Sequence, residues 1–476
     1  MKLVITLMVL AAFGAAWADG PASPPPQQTA RTSPDWLQKG VIYEIFPRDF
    51  SPAGNLNGVT ARLDDLKDLG VNILWIMPIQ PIGEKARKGE YGSPYSIRDY
   101  YAINPDYGTP DDFKRMVIEA HKRGMKVIMD VVANHTAWDS VMMAHPEFYK
   151  HDANGNIISP VPTWTDVAAL NYQDPKLRQY MIAMLKYWVQ TYNVDGFRCD
   201  AAAMIPTDFW EEARAALQPI KPDIMMLAEA SKPELLTNAF DIDYNWPLLG
   251  TMDKVLIDGY PASDIKRTWM RNQEKFPKNA LHMQVSDDHD EARAVNRYGL
   301  KGALAASTLM FTLDGVPVLY NGMEIGDANS TDGDALFKKL NISWDSPNHP
   351  ELRAVYHDLI QMRHEYPVFS NSSVDWVHNS DESRLLTFVR ADGRDEILVV
   401  INFSSEPFSG KVDLKNADGF TPVKIAGMQN SDEDPLPTVH LGSFEWCIYH
   451  RAQGSSVSPA HLADKKSNSW NANQTE

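Results

Sequence analysis

Gly196-Phe197-Arg198-Cys199-Asp200 sets a guanidinium and a carboxylate two residues apart. In an extended chain such residues project from one face. A neighbouring fixed positive charge lowers a carboxylate's pKa and keeps it ionised, which suits a nucleophile better than a proton donor. Taken alone, an Arg-x-Asp is more often a structural ion pair. Two further acids change that reading. Glu229 and Asp290 follow at intervals of 29 and 61 residues, about one and two strand-helix units of ~30 residues. Glu229 comes after Met225-Met226-Leu227-Ala228, an apolar setting expected to raise its pKa and keep it protonated. Two carboxyl groups with pKa values pushed apart supply the acid and the nucleophile for cleaving a glycosidic bond with retention. His135 and His289 fall in the same phase, as donors to sugar hydroxyls.

These side chains need a scaffold that brings distant segments to one place. Apolar runs at 40–47, 71–78, 126–135, 196–203, 223–230, 240–246, 280–290 and 316–326 read as eight strands. Helical spacing fills the intervals, at 57–70, 109–124, 174–194, 206–217 and 351–366 among others. Eight near-continuous apolar strands, each followed by a helix, predict an α/β fold, a parallel (β/α)8 TIM barrel. In such a barrel, Asp200, Glu229 and Asp290 end strands four, five and seven and converge on the C-terminal mouth.

The barrel is assigned to 34–135 and 173–370. Between them, 136–172 has little periodicity and several turn residues, so it reads as an inserted subdomain with a small hairpin at Asn154-Gly155. From 371 to 451 short alternating strands predict a C-terminal antiparallel β-sandwich, followed by a polar tail over 452–476 expected to be disordered. At the other end, Lys2, an apolar run from Leu3 to Phe13 and Ala16-Trp17-Ala18 read as a signal peptide over 1–18. A Pro-, Ser- and Gln-rich linker over 19–33 follows. The protein is therefore expected to be secreted or periplasmic, with no membrane association after cleavage. A net charge of −17 argues against nucleic acid as a partner and is indifferent to neutral substrates. The two cysteines, Cys199 and Cys447, fall in separate predicted domains and are read as buried thiols rather than a disulfide.

Several stretches, taken together, resemble the α-amylase family of glycoside hydrolases (family 13). They are Asp130-Val131-Val132-Ala133-Asn134-His135, Gly196-Phe197-Arg198-Cys199-Asp200, Glu229 on its strand, and His289-Asp290. Tyr95 in Ser93-Pro94-Tyr95-Ser96, Arg98-Asp99-Tyr100-Tyr101 and Gly315 to Glu324 are similar too. The resemblance runs from about Gly40 to His450. It implies Asp200 as nucleophile, Glu229 as acid/base and Asp290 as stabiliser of the oxocarbenium-like transition state. It also implies that Arg198, His135 and His289 support the reacting sugar and that Tyr95 stacks beneath it. The implied substrate is an α-glucan or maltooligosaccharide, hydrolysed through a covalent glucosyl-enzyme. Transglycosylation or glucan isomerisation would use the same intermediate, and a non-catalytic carbohydrate-binding protein is a third reading on this fold. Oligomeric state is not legible.

The chain departs from the family pattern at several points. Ala201-Ala202-Ala203-Met204 stands where many members carry Lys-His, Asp288 where Asn is usual, Ala169 where Asp is usual, and Ser96 where an Asp often follows the tyrosine. The acid-rich metal loop of some members is absent from 51–58. No cofactor is required for the chemistry and no metal ligand is assigned. A structural calcium ion is left open, with Asn134 as its candidate ligand and hydrogen bonding within the barrel an equal account of that residue. Ser96 cannot make a charge-assisted clamp on a terminal glucose, so the cleft is expected to be open on the non-reducing side.

Overall fold

The computed structural model describes residues 27–329, 336–428 and 435–452. The expected signal peptide, the linker up to residue 26 and nearly all of the polar tail lie outside the described residues. Residues 27–33 do not run free as the linker reading expects. Arg31 pairs with buried Asp241, which also holds Arg214, and the Ser33 hydroxyl donates to the Asp241 carbonyl.

Eight strands close into a barrel: β1 Ile42–Ile45, β2 Ile73–Ile76, β3 Lys126–Val132, β4 Gly196–Asp200, β5 Met225–Ala228, β6 Ile242–Tyr244, β7 His282–Gln284 and β8 Val316–Tyr320. Each pairs in parallel with the next, and β8 pairs with β1. Apart from Lys126 at the start of β3, every strand residue is buried; β2, β5 and β8 are continuous apolar runs, while the other strands also bury polar or charged residues such as Glu44, Asp130, Arg198, Asp243 and His282. Gly196 opens β4 because a Cβ there would lie 2.3 Å from the Met225 carbonyl oxygen of β5.

The helices outside follow their caps. Thr109 and Asp112 form a reciprocal capping box on Pro110–Lys122, and the Asp174 carboxylate accepts from the Lys176 and Leu177 N–H groups at the start of Pro175–Tyr192. The helix expected over 57–70 is two, Leu56–Ala61 and Leu63–Leu69. The chain leaves helical geometry at Arg62, whose guanidinium stacks 4.0 Å from the Trp344 ring.

After β3 the chain forms an antiparallel pair, His135–Ala137 with Val167–Ala169. Between them His151 and Ile157 bridge around Asn154-Gly155, where Asp152 accepts from the N–H groups of Asn154 and Asn156. Toward the C-terminus, β9 Asp375–Trp376, β10 Leu385–Ala391, β11 Asp395–Asn402, β12 Thr421–Pro422 and β13 Trp446–Ala452 build an antiparallel sheet. One face joins the barrel core through Phe388, Val399 and Ile401. The other packs Leu385, Val389 and Leu398 against Phe408, Val439 and Leu441 of a two-stranded sheet, Phe408–Lys411 with Thr438–Leu441. The short strands β9 and Thr438–Leu441, of two and four residues, are too short to be read from sequence. Cys199 is buried in the barrel core and Cys447 in this smaller one. Among the described residues, no helix is long and apolar enough to cross a membrane.

Candidate active site

At the C-terminal mouth of the barrel a cavity of about 200 Å³ is lined by Tyr95, His135, Asp200, Glu229, His289 and Asp290. The structure thus brings together six of the seven side chains singled out by sequence. Arg198, the seventh, lies beneath them with none of its surface exposed. Two larger hollows, near Tyr260 on the outer helices and beside Tyr91, lie away from this cluster.

Asp200 is the last residue of β4, and Glu229 directly follows β5. Asp290 is not at a strand end as expected. β7 stops at Gln284, and Asp288 turns the chain by accepting from the N–H groups of Asp290 and Glu291 at 3.0 and 3.1 Å. The acid that replaces the usual Asn at 288 therefore shapes the loop carrying Asp290.

Arg198 organises the floor. One terminal nitrogen, Nη1, lies 3.1 Å from both oxygens of Asp130 and 3.3 Å from Asp200 Oδ1. The other, Nη2, lies 3.0 Å from Glu229 Oε2, and Nε donates to the Tyr244 hydroxyl at 3.2 Å. Trp75 and Tyr95 rings flank the guanidinium at 5.2 and 5.6 Å. Burial disfavours its charge, but Asp130 and Glu229 more than offset this, and its pKa is well above the ordinary arginine value.

The pKa expectation for Asp200 is overturned. Burial first, and then the Glu229 carboxylate, push its carboxyl well above the usual range, with Arg198 opposing. The sequence shows the Arg198 partner but not the depth of the site or that Glu229 and Asp130 compete for the same cation. Nor is Glu229 in apolar surroundings. Its Oε2 accepts from Arg198 and, at 2.6 Å, from the Ala201 N–H. That N–H is aimed by a left-handed turn at Ala201, φ 44°, a strained conformation for a residue with a Cβ.

His289 has both ring nitrogens engaged. Nδ1 lies 2.5 Å from Glu44 Oε1, and Nε2 lies 2.8 Å from the Tyr95 hydroxyl and 3.2 Å from Asp290 Oδ2. Burial works against its charge, but Asp290 and Glu44 raise its pKa well above the ordinary value. In return, and against burial, the His289 charge and hydrogen bond bring Asp290 down to about 2. The Tyr95 ring stacks with His289, centroids 5.3 Å apart, and its hydroxyl donates to Asp130 at 3.1 Å. His135 is pushed down to about 4 by burial and meets the edge of Trp164.

Residues that sequence reasoning did not single out complete the wall: Trp164, Phe337 and the Lys88–Asp166 ion pair at 2.9 Å. Asp166 is tied back to Ser96, whose hydroxyl donates to its carbonyl at 3.2 Å. The sequence singles out Asp130 only as part of a motif, and does not single out Glu44. The available signal for Glu44 was a lone charge inside an apolar strand.

Calcium does not fit the residues at Asn134. Its amide nitrogen is directed at His135 Nδ1, 3.3 Å, and at the Met204 sulfur, 3.7 Å. A thioether is a poor partner for a hard cation, and Ala169 has no oxygen in its side chain. Among the described residues no three His, Cys, Asp or Glu side chains are grouped to hold a metal.

A closed parallel barrel whose mouth holds two carboxyl groups on one guanidinium, with a third beside an imidazole, is the architecture of a glycoside hydrolase. The family model described as alpha amylase, catalytic domain, matches residues 27–153 and 163–410. The chain belongs to the α-amylase family. Among solved structures, an α-amylase from Lactobacillus plantarum superposes with TM-score 0.77 at 31% identity, covering 87% of this chain and 99% of that one. A maltogenic α-amylase, AmyB, from Thermotoga neapolitana gives 0.77 at 30%, covering 87% and 97%. The α-amylase MalA of Haloarcula japonica is 29% identical over 79% of this chain, a match spanning 57% of MalA's own length.

Proposed function

We propose that the protein hydrolyses α-1,4-glucosidic bonds in starch-type glucans or maltooligosaccharides with retention, through a covalent glucosyl-enzyme. The observation that carries this is the placement of Asp200 and Glu229 on the two terminal nitrogens of Arg198 at one face of the cavity. In this reading Asp200 attacks the anomeric carbon while Glu229 protonates the departing glycosidic oxygen. Glu229 then takes a proton from the water that releases the sugar. The two carboxyl groups meet one guanidinium, so the charge on each acts on the other. Arg198 works against the burial that raises the Asp200 pKa and so favours the anion that attacks. Asp290, held anionic by His289, faces the positive charge that develops on the sugar ring, and Tyr95 offers its ring as a seat. Names of the relatives, amylase and maltogenic amylase, support an α-glucan as substrate.

The test is the anomer first released, followed by proton NMR on maltooligosaccharide. An initial α-product is expected, and an initial β-product overturns the mechanism. The same intermediate passes to a sugar hydroxyl when one arrives before water, so product analysis at high acceptor concentration separates hydrolysis from transfer. Export is part of the proposal and rests on residues 1–18 alone. N-terminal sequencing of protein from the periplasm or medium should begin at Asp19, and recovery of uncleaved cytoplasmic protein only would refute it.

A further inference from the structure

Glu44 is a carboxylate inside an otherwise apolar strand, β1, and none of its surface is exposed. Such burial is costly unless a partner compensates it. Oε2 is buried without a hydrogen-bond partner, while Oε1 lies 2.5 Å from His289 Nδ1. His289 carries the compensation, and its opposite nitrogen reaches the reaction site.

The hydrogen bonding assigns the protons. The Tyr95 hydroxyl donates to Asp130, so its oxygen is left to accept from His289 Nε2–H, which also reaches Asp290 Oδ2. With Nδ1–H given to Glu44, both nitrogens are donors and the ring is an imidazolium. Stacking on Tyr95 and the edge of Trp75, 5.9 Å away, hold its plane. The charged and titratable groups around it are Glu44 on β1, Asp130 on β3, Arg198 on β4, Asp288 and Asp290 on the loop after β7, and Tyr95 after β2. The three other carboxylates, of Asp130, Asp288 and Asp290, do not replace the contact that Glu44 makes at Nδ1; Asp290 meets the opposite nitrogen.

We infer that Glu44 is a positioning residue for the reaction: through His289 it fixes the Nε2–H on Asp290 and Tyr95, and so sets the charge and aim of Asp290. This rests on the proposed function. Without the Glu44 charge the ring loses one of its two closest counter-ions and becomes neutral at lower pH. A neutral ring that still gives Nδ1–H to residue 44 turns a lone pair toward Asp290, which repels the carboxylate. Asp290 then loses its hold where charge develops on the sugar, while the rest of the cleft binds substrate as before. Such a loss falls on kcat more than on KM.

Glu44→Gln keeps the shape and the acceptor but removes the charge. Expected are a fall in kcat of tenfold or more, KM within threefold, and an alkaline limb of the kcat profile moved at least one pH unit toward acid. In a His289→Asn background the same change should cost nothing further, since it acts through the ring. Nitrogen NMR of histidine-labelled wild-type protein should show His289 protonated on both nitrogens at pH 7.5, a readout that needs neither substrate nor the variant's folding. Turnover within twofold of wild type with an unmoved limb, losses that add in the double variant, or a neutral wild-type ring would each overturn the role of Glu44. A wild-type protein that cleaves no glucan overturns the proposed function instead.

Discussion

Replacing Arg198 with methionine removes a cation that contacts Asp130, Asp200 and Glu229 together. At 3.3 Å and an effective dielectric of about 20, the Arg198–Asp200 attraction is about 5 kcal/mol, an upper figure because the guanidinium charge is delocalised and shared among three acids. Even half of that raises the Asp200 pKa by about two units. The Asp200 carboxyl is already raised by burial and by Glu229, so the variant holds its proton still more tightly. The sign follows: a higher carboxyl pKa moves the anion, and with it the nucleophile, to higher pH. Turnover of a chromogenic maltooligosaccharide at pH 7 should fall about 100-fold, and the acid limb of the kcat profile should move up by about two units, so that part of the rate returns at alkaline pH. Loss of the buried cation also destabilises the fold by about 3–5 kcal/mol, so rates are to be read well below the melting temperature. Arg198→Lys keeps the charge with a single ammonium in place of the fork, and should leave the limb near its wild-type position at reduced rate. A rate loss equal at every pH, with the limb unmoved, would refute the electrostatic argument and leave Arg198 a packing residue.

Three further outcomes are expected. Asp200→Ala or Glu229→Gln should lower turnover by at least about 1,000-fold with the circular dichroism unchanged, losses in the range of removing a nucleophile or a general acid; activity within tenfold of wild type for either variant would sink the mechanism. His135, pushed down to about 4, refuses a proton that the unfolded chain accepts below pH 6.5, so stability falls as pH drops through that window. His135→Asn should remove up to about 3 kcal/mol of that loss in urea denaturation compared at pH 7 and pH 4, and an identical pH dependence in the two proteins would show that another group carries it. With Ser96 engaged by the Asp166 carbonyl and unable to clamp a chain end by charge, early digestion of a long maltooligosaccharide should release products of two or more glucose units; glucose as the sole first product would show that other wall residues, Lys88 and Asp166 first, rebuild the clamp.

Whereas β6 and β7 bury Asp243, His282 and Gln284 and carry a weaker signal, strands such as β2 and β5 were legible because burial on both faces leaves a continuous apolar run. The same property made Asp200 and Glu229 legible, since a carboxylate at the end of such a run stands out. Asp290 reaches the same cavity but from a loop, not from the strand end expected. Its loop is shaped by the Asp288 carboxylate bonding to backbone N–H groups, a local interaction with no periodicity to read. What only the tertiary structure decided is electrostatic. Asp130 from β3, Asp200 from β4 and Glu229 after β5 meet one guanidinium, and Glu44 from β1 meets His289 across 245 residues of chain. A pKa depends on the summed field and the depth of burial at one point in space, so a single neighbour in sequence, Arg198 beside Asp200, predicted the wrong sign. Residue types and strand phase fixed Asp200 and Glu229 at the mouth of the barrel; packing in three dimensions fixed the loop that brings Asp290 there and the cation that Asp200 and Glu229 meet.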